Sequence, residues 1–118
     1  MDDIVRLFKK GEACRADLEE ALADKLADPE NLPLTEITCR DVIRVINRYL
    51  DDSISSAFLE DWADTVLNTE YFEININDEE TVESVLAILC NEDDIEKLGR
   101  AEFEEIIECL ENNDPIEF

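Results

Sequence analysis

The side chains of this chain that could do chemistry are carboxylates and thiols. The 118 residues include 33 Asp and Glu and four Cys but no His, the commonest acid–base group near neutral pH. Two glycines are too few to build a glycine-rich loop that cradles a phosphate. A cysteine nucleophile would need a general base beside it, and the sequence suggests none. The sequence therefore predicts no catalytic residues and a protein that is not an enzyme.

The cysteines are widely spaced, and none belongs to a Cys-x-x-Cys pair. They are Cys14, Cys39, Cys90 and Cys109. Without close thiol pairs or histidine they cannot organise a tetrahedral zinc site, so we expect reduced structural thiols. The oxygen-rich run that begins at Asn75 fails as a calcium loop, because its sixth residue is Glu80 and its twelfth is Leu86. We expect no metal and no cofactor.

The net charge of −23 is distributed unevenly along the chain. Residues 1–48 carry 11 acids and 8 bases, whereas residues 49–118 carry 22 acids and only Lys97 and Arg100. The net charge is therefore −3 for residues 1–48 and −20 for residues 49–118. Solubility asks for a charge of roughly 2–8 in magnitude in a small domain, so the excess indicates a functional acidic face. Such a field attracts basic proteins and repels nucleic acid and anionic membranes, neither of which we expect to be bound.

The predicted partner-binding residues are acids that begin on the polar face of one helix and continue into the segment after it. They are Asp61, Asp64, Glu70, Glu73, Asp78, Glu79, Glu80 and Glu83. Trp62 lies on the apolar stripe of the same helix and is predicted to be a core residue, with a half-exposed anchor at an interface as the alternative. An alternative interpretation is a small adaptor or structural protein whose acids only confer solubility and whose contact surface is apolar.

The elements that must position these acids are predicted to be helices, because apolar residues recur at helical spacing. The predicted helices cover 2–10, 13–27, 38–50, 55–68, 78–89 and a last segment that includes 103–110, with a loop at 28–33 and a polar break at 91–94. Thr38 and Ser55 are predicted N-caps. Phe72, Ile74 and Ile76 alternate with polar residues, which is the period of a half-buried strand, but no strand partner is visible. The segment is therefore either an extended connection or a strand edge available for pairing. Residues 112–118 are expected to form a frayed tail.

One stretch resembles a known family. Val45-Ile46-Asn47-Arg48-Tyr49-Leu50-Asp51-Asp52-Ser53-Ile54-Ser55-Ser56-Ala57-Phe58-Leu59-Glu60-Asp61-Trp62-Ala63 is similar to a helix–short turn–helix pattern in small acidic bacterial proteins. These are proteins like the colicin D immunity protein and the immunity proteins of contact-dependent growth inhibition systems. The resemblance implies a helical, stoichiometric inhibitor whose acids mask the basic cleft of a nuclease toxin.

Together these observations predict an all-α, single-domain bundle over residues 1–118, with about five to six helices and one short extended segment near residues 70–77. The expected function is that of an acidic protein-binding module, most specifically a toxin-neutralising immunity protein with a basic protein partner such as a nuclease toxin domain. No apolar run is long enough to span a membrane and no secretory signal is visible, so we expect a cytoplasmic protein. The sequence makes no prediction of the oligomeric state.

Overall fold

We describe residues 3–114 of the chain in a computed structural model. Within this range the sequence forms seven α-helices and a short 3-10 turn at Pro29–Asn31. The helices are α1 (Asp3–Lys9), α2 (Arg15–Leu26), α3 (Cys39–Leu50), α4 (Ser56–Asn68), α5 (Glu79–Leu89), α6 (Glu92–Lys97) and α7 (Arg100–Asn112). The prediction of a mainly helical bundle is confirmed. The predicted tail falls partly outside the described residues, because α7 ends at Asn112 and residues 115–118 are not described.

The starts of α3 and α4 follow from side-chain capping, as the sequence predicts. The backbone N–H of Thr38 donates to the carboxylate of Asp41 at 2.9 Å, which holds the first turn of α3. The hydroxyl of Ser55 accepts the N–H of Phe58 at 3.1 Å and starts α4. Such caps satisfy amide groups that have no partner inside the helix. Both predicted helix starts are therefore confirmed.

The polar break predicted at residues 91–94 is wrong, because most of it lies inside α6. The side chain of Asn91 accepts the N–H of Asp93 at 2.9 Å and caps this short helix. Three acids occupy its first turn, where negative charge is favourable next to the positive end of the helix dipole. Residues that look like a solvated loop by composition thus form a helix start, which is one reason why the helices exceed the predicted five to six.

The expectation that the strand near residue 72 has no partner is also wrong. Strand β1 (Thr35–Ile37) and strand β2 (Phe72–Ile74) form a two-stranded parallel sheet in which Thr35 is opposite Phe72 and Ile37 is opposite Ile74. β1 has only three residues and is followed at once by the cap of α3, so it is too short for a period of two to be recognised. The pairing brings β2 beside the start of α3.

Trp62 lies in the core, as predicted, with 1% of its surface exposed. Its indole Nε1 donates to the backbone carbonyl of Phe8 at 2.7 Å, which satisfies the one polar atom of the side chain. The ring of Phe8 stacks on Trp62 at a centroid distance of 5.9 Å and on Phe72 at 4.8 Å. These three aromatic residues hold α1, α4 and β2 together and fix the position of the acidic segment that follows.

Helix α3 packs chiefly on α7, and α4 packs chiefly on α5. The connection between α3 and α4 is short and includes Asp52 in a left-handed conformation (φ 65°). None of the helices in residues 3–114 combines the length and apolar character that crossing a membrane requires. The eight predicted binding acids lie on α4, on β2, on α5 and in the segments between these elements.

Candidate partner-binding site

The eight predicted binding acids fall into two groups in the structure. Three of them hold other parts of the chain in place: Asp61, Asp64 and Asp78. The other five are exposed and make no hydrogen bond or ion pair through their carboxylates with residues 3–114. These are Glu70, Glu73, Glu79, Glu80 and Glu83. The two groups differ in what they can offer a partner.

Asp61 and Asp64 attach α4 to the start of α2. The carboxylate of Asp61 accepts the backbone N–H of Arg15 at 3.0 Å, and a carboxylate oxygen of Asp64 lies 3.7 Å from the Arg15 guanidinium. That guanidinium also pairs with Glu19 and lies 5.8 Å from the centre of the Tyr71 ring. The Tyr71 hydroxyl donates to Glu19 at 2.8 Å, and this hydrogen bond, assisted by burial, raises the pKa of Tyr71. Both aspartates therefore have a structural role here.

Asp78 directly precedes α5 but does not cap that helix through its side chain. Its carboxylate instead accepts the backbone N–H of Cys39, the first residue of α3, at 3.0 Å. Burial, together with the nearby Asp78 charge, raises the pKa of the Cys39 thiol from 9.0 to about 11. Asp78 thus stabilises a helix that begins 39 residues earlier in the chain, a role that the sequence does not reveal.

A cavity of about 610 Å³ lies over the same helix start, between α3 and the end of α7. The side chains of Asn113 and Asp78 in its lining are engaged within the chain. Asn113 accepts the hydroxyl of Thr81 at 2.8 Å and donates to the carbonyl of Asn77 at 2.7 Å, while Asp78 is bound to the backbone N–H of Cys39. These groups stabilise α3 and α7, and we do not assign the binding site to this cavity.

Three of the free glutamates converge on a second depression, which we call the acidic groove. It has a volume of about 300 Å³ and lies between the end of α4, strand β2 and the start of α5. Glu73, Glu79 and Glu83 contribute to its lining, and none of its lining residues is Lys or Arg. Phe72 contributes apolar surface. The acidic groove therefore combines uncompensated negative charge with apolar contact area.

Ile76 lies at the acidic groove and is 82% exposed. The alternating pattern predicts that it shares a buried face with Phe72 and Ile74, and this prediction is wrong. β2 ends at Ile74, and the chain then turns, because the N–H of Asp78 donates to the carbonyl of Asn75 at 2.9 Å. The turn carries Ile76 out of the sheet and leaves a large apolar side chain beside the glutamates. The sequence pattern does not reveal that Ile76 is exposed at the acidic groove.

The lining of the acidic groove presents three carboxylates and apolar side chains. The hydroxyl of Thr69, which also lines it, is already engaged with the carbonyl of Thr65 and the N–H of Tyr71. No group of three or more Cys, Asp and Glu side chains in the described part of the chain is arranged to hold a metal ion. Carboxylates of this kind accept charge-assisted hydrogen bonds from Lys and Arg.

Comparisons of the chain with protein-family models, with curated proteins and with solved structures found no match. The acidic groove is the clearest candidate site among the described residues. Its strongest features are the three converging glutamates and the exposed isoleucine beside them.

Proposed function

We propose that this chain is a protein-binding module whose acidic groove binds a basic surface of another protein. The observation that carries the proposal is the convergence of Glu73, Glu79 and Glu83 beside the exposed Ile76. In its most specific form the proposal is a toxin-neutralising immunity protein that masks the basic cleft of a nuclease toxin. That form rests on the resemblance of residues 45–63 to small acidic immunity proteins.

The energetics of the groove favour a partner over solubility alone. Carboxylates that share one groove repel each other, and this repulsion adds to that of a chain with a net charge of −23. A basic partner removes the repulsion and gains charge-assisted hydrogen bonds. The same field raises the rate at which a basic protein finds the groove. Ile76 adds apolar area at the place where the charges meet.

The test begins with affinity capture from the native cell at low salt, followed by purification of the captured protein. Its affinity is then measured by titration calorimetry for the chain and for two triple variants. The first variant is Glu73→Gln, Glu79→Gln and Glu83→Gln. The control is Glu96→Gln, Glu105→Gln and Glu108→Gln, which removes the same charge from exposed residues of α6 and α7.

We expect the groove variant to bind at least about tenfold more weakly, while the control keeps most of the affinity because only long-range attraction changes. Equal binding by the chain and both variants would support instead the adaptor interpretation, in which the acids only confer solubility. Equal weakening by both variants would show a diffuse effect of charge rather than a site.

The immunity form of the proposal has its own readout. When the captured protein is expressed in a test strain and inhibits growth, co-expression of the chain should restore growth, and co-expression of the groove variant should not. A captured protein that has no effect on growth would contradict the immunity form while leaving the binding module in place.

A further inference from the structure

Strand β2 has one edge that no other strand within residues 3–114 covers. On the other edge, the carbonyl of Tyr71 accepts an N–H from the residue before β1 at 2.7 Å, and the N–H of Asn75 donates to the last carbonyl of β1 at 2.9 Å. Because successive residues of a strand direct their N–H and C=O groups to opposite sides, those of Phe72 and Ile74 point away from β1. No turn, loop or side chain of residues 3–114 bonds to them. These groups form an open edge.

The acidic groove runs along this open edge. It is lined by three successive residues of β2, Phe72 to Ile74, and by no residue of β1. Side chains of successive strand residues alternate between the two faces of a sheet, so a groove that touches all three follows the strand itself. Its lining also includes Glu79 and Glu83 of α5. A chain segment seated in the groove would contact both the residues of β2 and these glutamates.

The spacing of the two glutamates suits an extended occupant. Residues four apart on a helix have Cβ atoms about 5–6 Å apart on one face. Alternate residues of an extended chain, at a rise of about 3.3 Å per residue, are about 6.6 Å apart on one face. The two spacings are similar, so basic side chains at alternate positions of a strand match the spacing of Glu79 and Glu83.

We propose that the partner places an extended basic segment in the acidic groove, where it pairs with the open edge of β2 as a third strand. This inference rests on the proposed function, because it takes a basic protein as the partner, and adds how that partner is held. Exposed strand edges also invite self-association, which proteins oppose with charge. Here the glutamates repel a second copy of the chain and attract Lys and Arg, so the edge is selective.

The probe for this inference is a synthetic nine-residue peptide that alternates Lys and Val. Two control peptides keep its composition and charge: one groups the lysines in a single block, and the other carries N-methyl groups on the central amides, which removes their N–H donors. Binding is measured with the isotope-labelled full-length chain by NMR titration and amide hydrogen exchange. The Gln variants of the groove and of α6 and α7 are titrated in parallel.

We expect the alternating peptide to slow hydrogen exchange at the amides of Phe72 and Ile74 and to bind at least about tenfold more tightly than either control, since backbone pairing supplies affinity and side-chain pockets supply specificity. The groove variant should lose this preference and the α6 and α7 variant should keep it. Equal binding of the three peptides, or no binding of the alternating peptide, would overturn the strand model.

The captured protein separates a failure of this inference from a failure of the proposed function. If that protein binds the chain, depends on Glu73, Glu79 and Glu83, and leaves the exchange of Phe72 and Ile74 unchanged, the proposed function holds and strand pairing is wrong. If it is insensitive to the three glutamates, the proposed function itself is wrong.

Discussion

Replacement of Asp78 by Ala should destabilise the fold although the residue lies in the acidic segment. The carboxylate accepts the first amide of α3, that of Cys39, at 3.0 Å. Loss of a side-chain cap costs about 0.5–2 kcal/mol of stability, and an amide left without a partner in a partly buried place costs about 1–3 kcal/mol. Removing the negative charge of Asp78 also relieves repulsion, which stabilises the fold by about 0.4 kcal/mol for each like charge 10 Å away in water. The free energy of unfolding should therefore fall by about 1–2 kcal/mol.

The assay is urea unfolding followed by the fluorescence of Trp62, the single tryptophan of the chain, which is buried. With a urea dependence of about 2 kcal/mol per M, in the middle of the range for small proteins, the midpoint should fall by about 0.5–1 M. The matched control is Glu83→Ala, which removes the same charge from an exposed helix residue without a partner among those described. We expect its midpoint to stay the same or rise slightly. Equal midpoints for the two variants would refute the assignment of Asp78 as the cap of α3.

Three further outcomes follow from contacts in the core and around α2 and α3. Trp62→Phe should lower the free energy of unfolding by about 1–3 kcal/mol, because the carbonyl of Phe8 loses its donor; urea unfolding followed by circular dichroism checks this, and an unchanged midpoint contradicts it. Tyr71→Phe removes the hydrogen bond to Glu19 and should lower the free energy of unfolding by about 0.5–1.5 kcal/mol in the same assay. An unchanged free energy of unfolding would show that this hydrogen bond does not stabilise the fold. In the folded chain the pKa of the Cys39 thiol is raised from 9.0 to about 11, so the free energy of unfolding should fall as the pH rises from 9 toward 11. The Cys39→Ala variant should show a shallower fall over this range. An equally steep fall in the variant would contradict the raised pKa.

The long helices could be predicted from the sequence because each carries its own signal. The caps at Thr38 and Ser55 lie within three residues of the groups they bond, and the apolar stripes of α3 and α4 repeat at helical spacing. Trp62 belongs to such a stripe and is buried. Local chemistry was sufficient for the helices in which a cap and an apolar stripe occur together.

The features that could not be predicted depend on contacts between distant segments or on very short elements. β1 is three residues long and becomes a strand only through β2, 35 residues later in the chain. The carboxylate of Asp78 is indistinguishable by sequence from that of Glu79, yet only the former meets the start of α3. The exposure of Ile76 follows from a turn that overrides the alternating pattern.

The eight predicted binding acids differ in what the structure does with them. Five are exposed, whereas Asp61, Asp64 and Asp78 stabilise the fold. Glu73, Glu79 and Glu83 are the predicted residues that meet in one groove. Charge counting cannot separate these groups, since it does not say which carboxylates already have a partner within the chain.

The most direct test of the central claim is the salt dependence of association between the purified partner and the chain, measured by stopped-flow fluorescence. The association rate should be high at 50 mM NaCl and lower by at least about tenfold at 500 mM, because salt screens the attraction between exposed charges. The Gln variant of Glu73, Glu79 and Glu83 should show a much smaller change over the same range. An association rate that is independent of salt and unaffected by that variant would contradict an acidic groove that recruits a basic partner.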